Sequence, residues 1–431
     1  MERYGVEQIP EEARHGRIIN QFTLWFASNL TVADYALGAI LVTLGLGTLW
    51  VWIALIVGNV LGAFLVGVLA SYGPEYGLPQ MMVSKKVFGN YNVPFSLAQW
   101  VSTLGWFSVN AIISGYVLYF VYPAIPLSVY IFASAVSQAV IAYFGYDIIH
   151  KSEHALSYVL GAYFALILIL ALLGKPRFPP LQGFNPVGFA VALATVFSYI
   201  MSWAPYASDY SRYLPQSASK KKIIAYVTLG GAIASAWMEV VGMVVSVSSG
   251  NFSGLPTVLI SFSSKYWILG YASVAMIFLG SLSANVLNIY SNSLSLLSLT
   301  SKIKRDQGIL IGATIGTALA IIGGINFVGF FEGFLYFLDY WITPWIGVMI
   351  VSLLLKDKGK GISGLYLLIS YAVSLLISAP FMNLEVATSG LISYVGPLAE
   401  IFGGADISYF VSFAFSIIIT YLIFRFLKAS F

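Results

Sequence analysis

The sequence predicts an all-α integral membrane protein of twelve transmembrane helices, and three observations carry that prediction. Apolar residues make up 59% of the chain and charged residues only 9%, too lopsided for a surface that must face water. Apolar stretches of about twenty residues, the length that crosses a bilayer as a helix, recur along the whole chain. Threading through them from a cytoplasmic N-terminus leaves only Lys175, Arg177 and Lys265, of 21 basic residues, on the outer side. That is the bias that sets membrane topology, and a miscount of one segment would scramble it.

Taken in order, residues 1–20 form a cytoplasmic tail. Glu2, Glu7, Glu11, Glu12 and Arg14 fall in it without an apolar run, so it does not read as a cleavable leader. Segment one runs 21–47 and segment two 50–70. The stretch 71–93 carries Gly, Pro and short amphipathic pieces and reads as interfacial or re-entrant. Segments three to five run 94–121, 126–145 and 155–173; six to ten run 186–207, 223–249, 266–299, 308–326 and 333–355. A second polar stretch, 383–406, separates the last two, 362–382 and 407–427, and leaves the C-terminus inside as well. The expected location is the cell membrane, as a multi-pass protein. The net charge of +4 then belongs to topology beside anionic lipid, not to nucleic acid. The absence of Cys excludes disulfides and thiolate chemistry. There is no phosphate-binding loop, so any driving energy comes from an ion gradient.

Four segments carry polar chemistry. Segment one is unusually long, roughly 40 Å at 1.5 Å per residue, and holds Ser28-Asn29-Leu30-Thr31 followed by Asp34. Such residues compete for backbone hydrogen bonds and favour local unwinding, and a break in mid-membrane must line a protected cavity. The plainer reading is a polar patch against neighbouring helices. Segment six holds Ser198, Tyr199, Ser202, Trp203 and Pro205, and an internal Pro removes a helix hydrogen bond. Segments one and six also echo each other faintly: Trp25 then Ala33-Asp34-Tyr35, against Trp203 then Ser208-Asp209-Tyr210. A five-plus-five inverted repeat would place these two segments equivalently.

Segment three places Gln99, Thr103, Trp106, Asn110 and Ser114 on one helix face, and segment eight does the same with Ser281, Asn285, Asn288, Asn292 and Ser295. Interhelical hydrogen bonding accounts for the Ser and Thr. Three Asn on one face, each with two donors and an acceptor, match the mixed edge of a nucleobase, and a Trp face suits its flat ring. Asp34 and Glu239 are the clearest carboxylates at depth, with Glu332 and Asp339 nearer the outer ends, and such groups default to function. His15, His150 and His154 are placed in the inner tail and loops. No His, Cys or carboxylate cluster of catalytic spacing lies within the spans, which speaks against an enzyme and against any metal centre other than a Na+ site.

These residues resemble the nucleobase:cation symporter-1 family over nearly the whole chain, and its purine-cytosine permease branch in particular. The resemblance rests on Gly5 to Glu12 with Arg14-His15-Gly16-Arg17, Trp25 to Thr31, Gly73-Pro74 through Gly77-Leu78-Pro79-Gln80, Gly105-Trp106-Phe107 with Asn110, Tyr206 to Tyr213, and Ala284-Asn285 with Asn288 and Tyr290-Ser291. It implies a LeuT-like core of two inverted five-helix repeats in 21–355, the first about 21–173 and the second about 186–355. Helices one and six are broken, and two additional helices fill 356–431. It implies a substrate site between helices one, three, six and eight. There Trp106 stacks on the base, Asn110 bonds its edge, Asn285 or Asn288 adds an amide, Tyr199, Ser202 or Trp203 closes from helix six, and Thr31 or Asn29 from helix one.

The family's sodium site uses backbone carbonyls of helices one and eight and two hydroxyls of helix eight. The matching positions are Ala27, Leu30, Gly280 and Ser283; the next residue, Ala284, lacks the second hydroxyl. Some members use protons, for which Asp34 and Glu239 are the candidate carriers. The expected function is a secondary-active symporter importing a nucleobase or related heterocycle (cytosine, purine, uracil, allantoin or hydantoin type), coupled to Na+ or H+ by alternating access. No cofactor is expected beyond the coupling ion. The alternative is the same fold carrying another small solute such as an amino acid, against which no pair of basic residues lies at depth.

Overall fold

The structure is a computed structural model and describes residues 4–144, 146–178, 183–300, 302–324, 327–355, 362–387 and 392–426, without the side chains of 327–333, 335 and 336. The Glu332 side chain and Lys356, Lys358 and Lys360, which the sequence reading places inside, thus lie outside the description. Helices dominate, because backbone groups in hydrocarbon must pair within their own segment.

Segment one is two helices, α1 (Ile19–Ser28) and α2 (Val32–Leu41), which meet at an angle of 64°. Thr31 caps the second, its Oγ1 accepting from the Asp34 N–H. Next come α3 (Thr48–Ala70) and the short α4 (Gly73–Tyr76) and α5 (Gln80–Phe88), which fill the stretch read as interfacial. They are followed by α6 (Val93–Val121), α7 (Leu127–Tyr143) and α8 (Tyr146–Leu173). Segment six is α9 (Pro186–Met201), which gives way to a 3-10 turn over Ala204–Asp209. Pro205, in the first turn of that stretch, has no N–H to continue the α-helix. The remainder is α10 (Lys220–Ser249), the short α11 (Pro256–Ser263), α12 (Ile268–Leu299), α13 (Arg305–Gly323), α14 (Phe327–Leu354), α15 (Gly364–Ser378), the short α16 (Leu384–Ala387) and α17 (Pro397–Ile401), and α18 (Ser408–Phe426). Among the described residues, ten helices are long and apolar enough to cross a membrane, and the bent pair α1–α2 makes up to eleven. A count of twelve also needs α7, an apolar helix of 17 residues.

One boundary departs from expectation. Segment five begins at Tyr146, not 155, so His150 and His154, expected in a loop, lie on a helix, as does Glu153. Tyr146, Ile149, His150, Glu153 and Leu156 are all buried and follow helical spacing. Asp147 and Lys151 interrupt the apolar run on the opposite face, which hides the helix from a reading by hydrophobicity.

The helices pack in two groups with matching contacts. α3 packs on α9 and α10, and α10 packs in turn on α1 and α2. In the second group α6 packs on α7, α12 and α13, and α12 packs on α7 and α13. α8 bridges the groups, touching α1, α10 and α12, while α14, α15 and α18 pack together at the end of the chain. Reciprocal glycines bring α2 and α10 into backbone contact: a Cβ on Gly38 would lie 1.8 Å from the Glu239 carbonyl oxygen, and one on Gly242 1.9 Å from that of Tyr35.

The N-terminal tail is folded onto one end of the bundle. The Ile9 N–H donates to the Gly77 carbonyl (2.9 Å), and those of His15 and Gly16 donate to the Tyr213 carbonyl (3.0 Å each). The buried Arg212 reaches the Gly5 carbonyl at 2.6 Å and the Tyr290 hydroxyl at 3.1 Å.

Candidate substrate and cation site

The two interruptions face each other, and aromatic side chains span the gap. Trp25 of α1 meets Trp203, just past α9, edge to face at 5.6 Å. The Trp203 indole N–H donates to Asn29 Oδ1 at 2.9 Å, and the hydroxyls of Thr31 and Tyr199 lie 3.0 Å apart. Trp106 of α6 stands edge to face against Tyr199 (5.5 Å) and against Phe334 of α14 (5.3 Å). From α12, Asn288 Oδ1 accepts the Tyr206 hydroxyl at 3.0 Å. Side chains from the first, third, sixth and eighth segments therefore form one linked cluster, buried throughout. Its unwound backbone supplies polar groups that a continuous helix would consume internally.

The expected residues play unequal parts in it. Asn285 donates to the Phe107 carbonyl (2.8 Å) and to Gln138 Oε1 (2.6 Å), while its Oδ1 accepts from Asn288 Nδ2 (3.0 Å). It ties α12 to α6 and α7 and holds Asn288 in place. Asn110 donates to the Trp106 carbonyl at 3.0 Å, and the Ser202 hydroxyl donates to the Tyr199 carbonyl at 2.6 Å. Asn292 lies outside the cluster, bonded to the Trp100 carbonyl (3.0 Å) and Thr103 (2.8 Å). Tyr206, Gln138 and Phe334 were not singled out from the sequence. Tyr206 sits within a quoted motif, but nothing in the spacing marks Gln138 or Phe334.

Of the residues expected around a cation, Gly280 meets the helix-one break. A Cβ on Gly280 would lie 2.5 Å from the Leu30 carbonyl oxygen, so α12 touches the helix-one break there. The Ala27 carbonyl accepts the Leu30 N–H at 3.1 Å. Ser283, one turn after Gly280, donates to Glu153 Oε2 at 2.5 Å. The two candidate proton carriers form a second group nearby in α2 and α10. Ser235 donates to Asp34, and Asn59 Nδ2 donates to Glu239 Oε2 at 2.6 Å, with both carboxylates fully buried.

Residues 8–412 match the family described as "Permease for cytosine/purines, uracil, thiamine, allantoin". YxlA of Bacillus subtilis, a proposed purine-cytosine permease, is 29% identical, the match covering 99% of this chain and 96% of that one. Among solved structures, Mhp1, a nucleobase-cation-symport-1 family transporter in a closed conformation with bromovinylhydantoin bound, superposes with a TM-score of 0.80 at 16% identity, over 100% of this chain and 96% of that one. A Na+-coupled sialic acid symporter follows with 0.65 at 12% identity, over 96% and 91%. These likenesses show the fold, a LeuT-like helical bundle. The apolar helices and the family together make this a multi-pass membrane transport protein and not an enzyme. With the match running through almost the full length, the chain belongs to the family of permeases for cytosine and purines, uracil, thiamine and allantoin.

Proposed function

We propose that this permease imports a nucleobase or a close heterocycle by alternating access, as a symporter driven by Na+ or H+. The observation that carries the reading is the buried cluster at the facing breaks, where Trp203 bonds the amide of Asn29, Trp106 packs on Tyr199, and the amide of Asn288 bonds Tyr206. A heterocyclic base needs that combination of a flat apolar face and a donor–acceptor edge. In this reading Trp106 and Trp203 stack on the base. Asn288, Asn29 and Asn110 turn amides from their present partners to its edge. Thr31, Tyr199 and Ser202 close the site, and Asn285 supports Asn288 from behind. Ala27, Leu30, Gly280 and Ser283 hold the cation if it is Na+; Asp34 and Glu239 are the carriers if it is H+. Twelve spans, both termini in the cytoplasm of a cell-membrane protein, a core of 21–355 in repeats of about 21–173 and 186–355, and two added helices in 356–431 complete the proposal, supported by the distribution of basic residues.

A thermal-shift screen of purified protein against cytosine, uracil, adenine, guanine, hypoxanthine, allantoin and hydantoins tests the substrate. A ligand at 100 times its Kd stabilises by about 2.7 kcal/mol, and no shift with any of them would overturn the reading. Uptake into proteoliposomes under a sodium gradient or a pH gradient, each imposed alone, tests the coupling. Uptake driven by sodium, indifferent to pH and retained in Asp34→Asn and Glu239→Gln, would sink the proton alternative.

A further inference from the structure

We infer that Glu153 is the anionic ligand of the coupling-cation site, taking the place of the hydroxyl that position 284 lacks; the inference rests on the symport reading above. Glu153 lies on α8, which packs against both α1 and α12. It is fully buried. Its Oε2 accepts from Ser283, and its Oε1 has no hydrogen-bond partner among the described residues. No Lys or Arg among them forms an ion pair with it. His150, one turn earlier, packs edge to face on Tyr146, 4.3 Å between ring centres.

A lone carboxylate deep in an apolar bundle is costly unless a positive charge meets it. The surroundings supply oxygen for such a charge. Gly280 and Ser283 are one turn apart on α12 and therefore share a face. Gly280 abuts the Leu30 carbonyl, Ser283 abuts Glu153, and the free Glu153 oxygen completes a set of carbonyl, hydroxyl and carboxylate oxygens. That set suits a small hard cation such as Na+. A site of carbonyls and two hydroxyls binds Na+ without neutralising it. Here the filled site is neutral, whereas the empty one leaves the buried carboxyl between α1, α8 and α12 without its cation. A cation held there bridges α8 and α12 to the helix-one break. This couples the cation to the same break that offers Asn29 and Thr31 to substrate.

The test uses full-length protein in nanodiscs, with NaCl titrated against choline chloride at constant ionic strength and Tm as the readout. Na+ is expected to raise the Tm of the unaltered protein. Glu153→Gln is expected to shift the half-saturating Na+ concentration upward by about tenfold to a hundredfold, the usual penalty for disturbing a metal site. Ser283→Ala should shift it in the same direction, and Glu153→Gln combined with Ala284→Ser should recover part of the loss. If Glu153→Gln does not fold, Ser283→Ala and Glu153→Asp read the same site. A Na+ response that is absent from the unaltered protein, or identical in Glu153→Gln, overturns the inference. So does uptake driven by a pH gradient alone, indifferent to sodium and lost in Glu153→Gln, which would make Glu153 a proton carrier instead. Running the heterocycle screen on the same samples separates the two proposals: a Na+ response that depends on Glu153, without binding of any heterocycle, would sink the substrate reading and leave the cation site standing.

Discussion

At the residue scale the cluster divides into side chains that meet one another across the facing breaks and side chains that hold helices together. Trp106 belongs to the first kind. Base–aromatic stacking is worth roughly 1–3 kcal/mol by substitution, so Trp106→Ala should weaken heterocycle binding about tenfold to a hundredfold, measured by competition for uptake in a well-expressed protein. Unchanged affinity would misplace the site. The asparagines of α12 give a sharper contrast. Asn288 joins Tyr206 across the cluster, whereas Asn292 anchors α12 to the Trp100 carbonyl and Thr103. Asn288→Ala should cost affinity in addition to the stability lost when the Tyr206 hydroxyl and Asn285 Oδ1 lose their partner. Asn292→Ala should cost stability, about 1–3 kcal/mol for the partners left unpaired, with affinity retained. Equal, mild losses at both positions would refute that division of labour. The sequence marked all three asparagines by spacing alone. Depth along the helix sets Asn292 apart, at least one turn nearer the inner end, but spacing cannot separate Asn285 from Asn288, because periodicity identifies a face and not what the face meets.

At the scale of elements, the break in segment one was legible because Ser28, Asn29 and Thr31 are poor helix interiors, and Thr31 is a good cap. The crossing of α2 and α10 was not legible. It depends on Gly38 and Gly242, which let the backbones touch where any side chain would collide. Gly242→Ala should therefore force the helices apart and destabilise the protein by about 1–3 kcal/mol or more, read as a lower Tm in detergent. An equally stable variant would show that the contact is looser than the structure has it. Glu153 was lost at this same scale. Charged neighbours disguised the first turns of α8, so a carboxylate that faces Ser283 fell outside the span read from the sequence.

At the scale of the molecule, the tail joins distant parts of the chain at one end of the bundle. His15 packs between the rings of Tyr146 and Tyr213 (5.9 and 5.6 Å) and bonds Asp147 at 2.8 Å. The hydrogen bond that His15 donates to the Asp147 carboxylate raises the His15 pKa above its ordinary 6.5. A raised pKa means the charged pair contributes fully below about pH 6.5 and fades as pH climbs through the raised value. Because His15 is half exposed, the contribution is small, and it should be sought in the tail and not in global stability. Hydrogen exchange of residues 4–16 should accelerate as pH rises above 6.5, after correction for intrinsic exchange, and lose that dependence in Asp147→Asn. A corrected profile that is flat in the unaltered protein would show that the His15–Asp147 pair does not hold the tail.

What the sequence determined by itself was the class of protein and a set of candidate site residues. Hydrocarbon accepts only long apolar helices, and the placement of Lys and Arg follows from where they were left, so composition and charge specify a bundle without reference to contacts. Trp106 and Asn288 could likewise be singled out as candidates by residue type and helical spacing, and Ser283 by resemblance to the family. The tertiary structure decided their partners. Asn285 is 147 positions from Gln138, and Ser283 is 130 positions from Glu153. Such pairs are created by packing of α12 against α7 and α8. Whether an amide meets a substrate or a neighbouring helix, and whether a carboxylate faces lipid headgroups or a cation site, is settled by which surfaces that packing brings together.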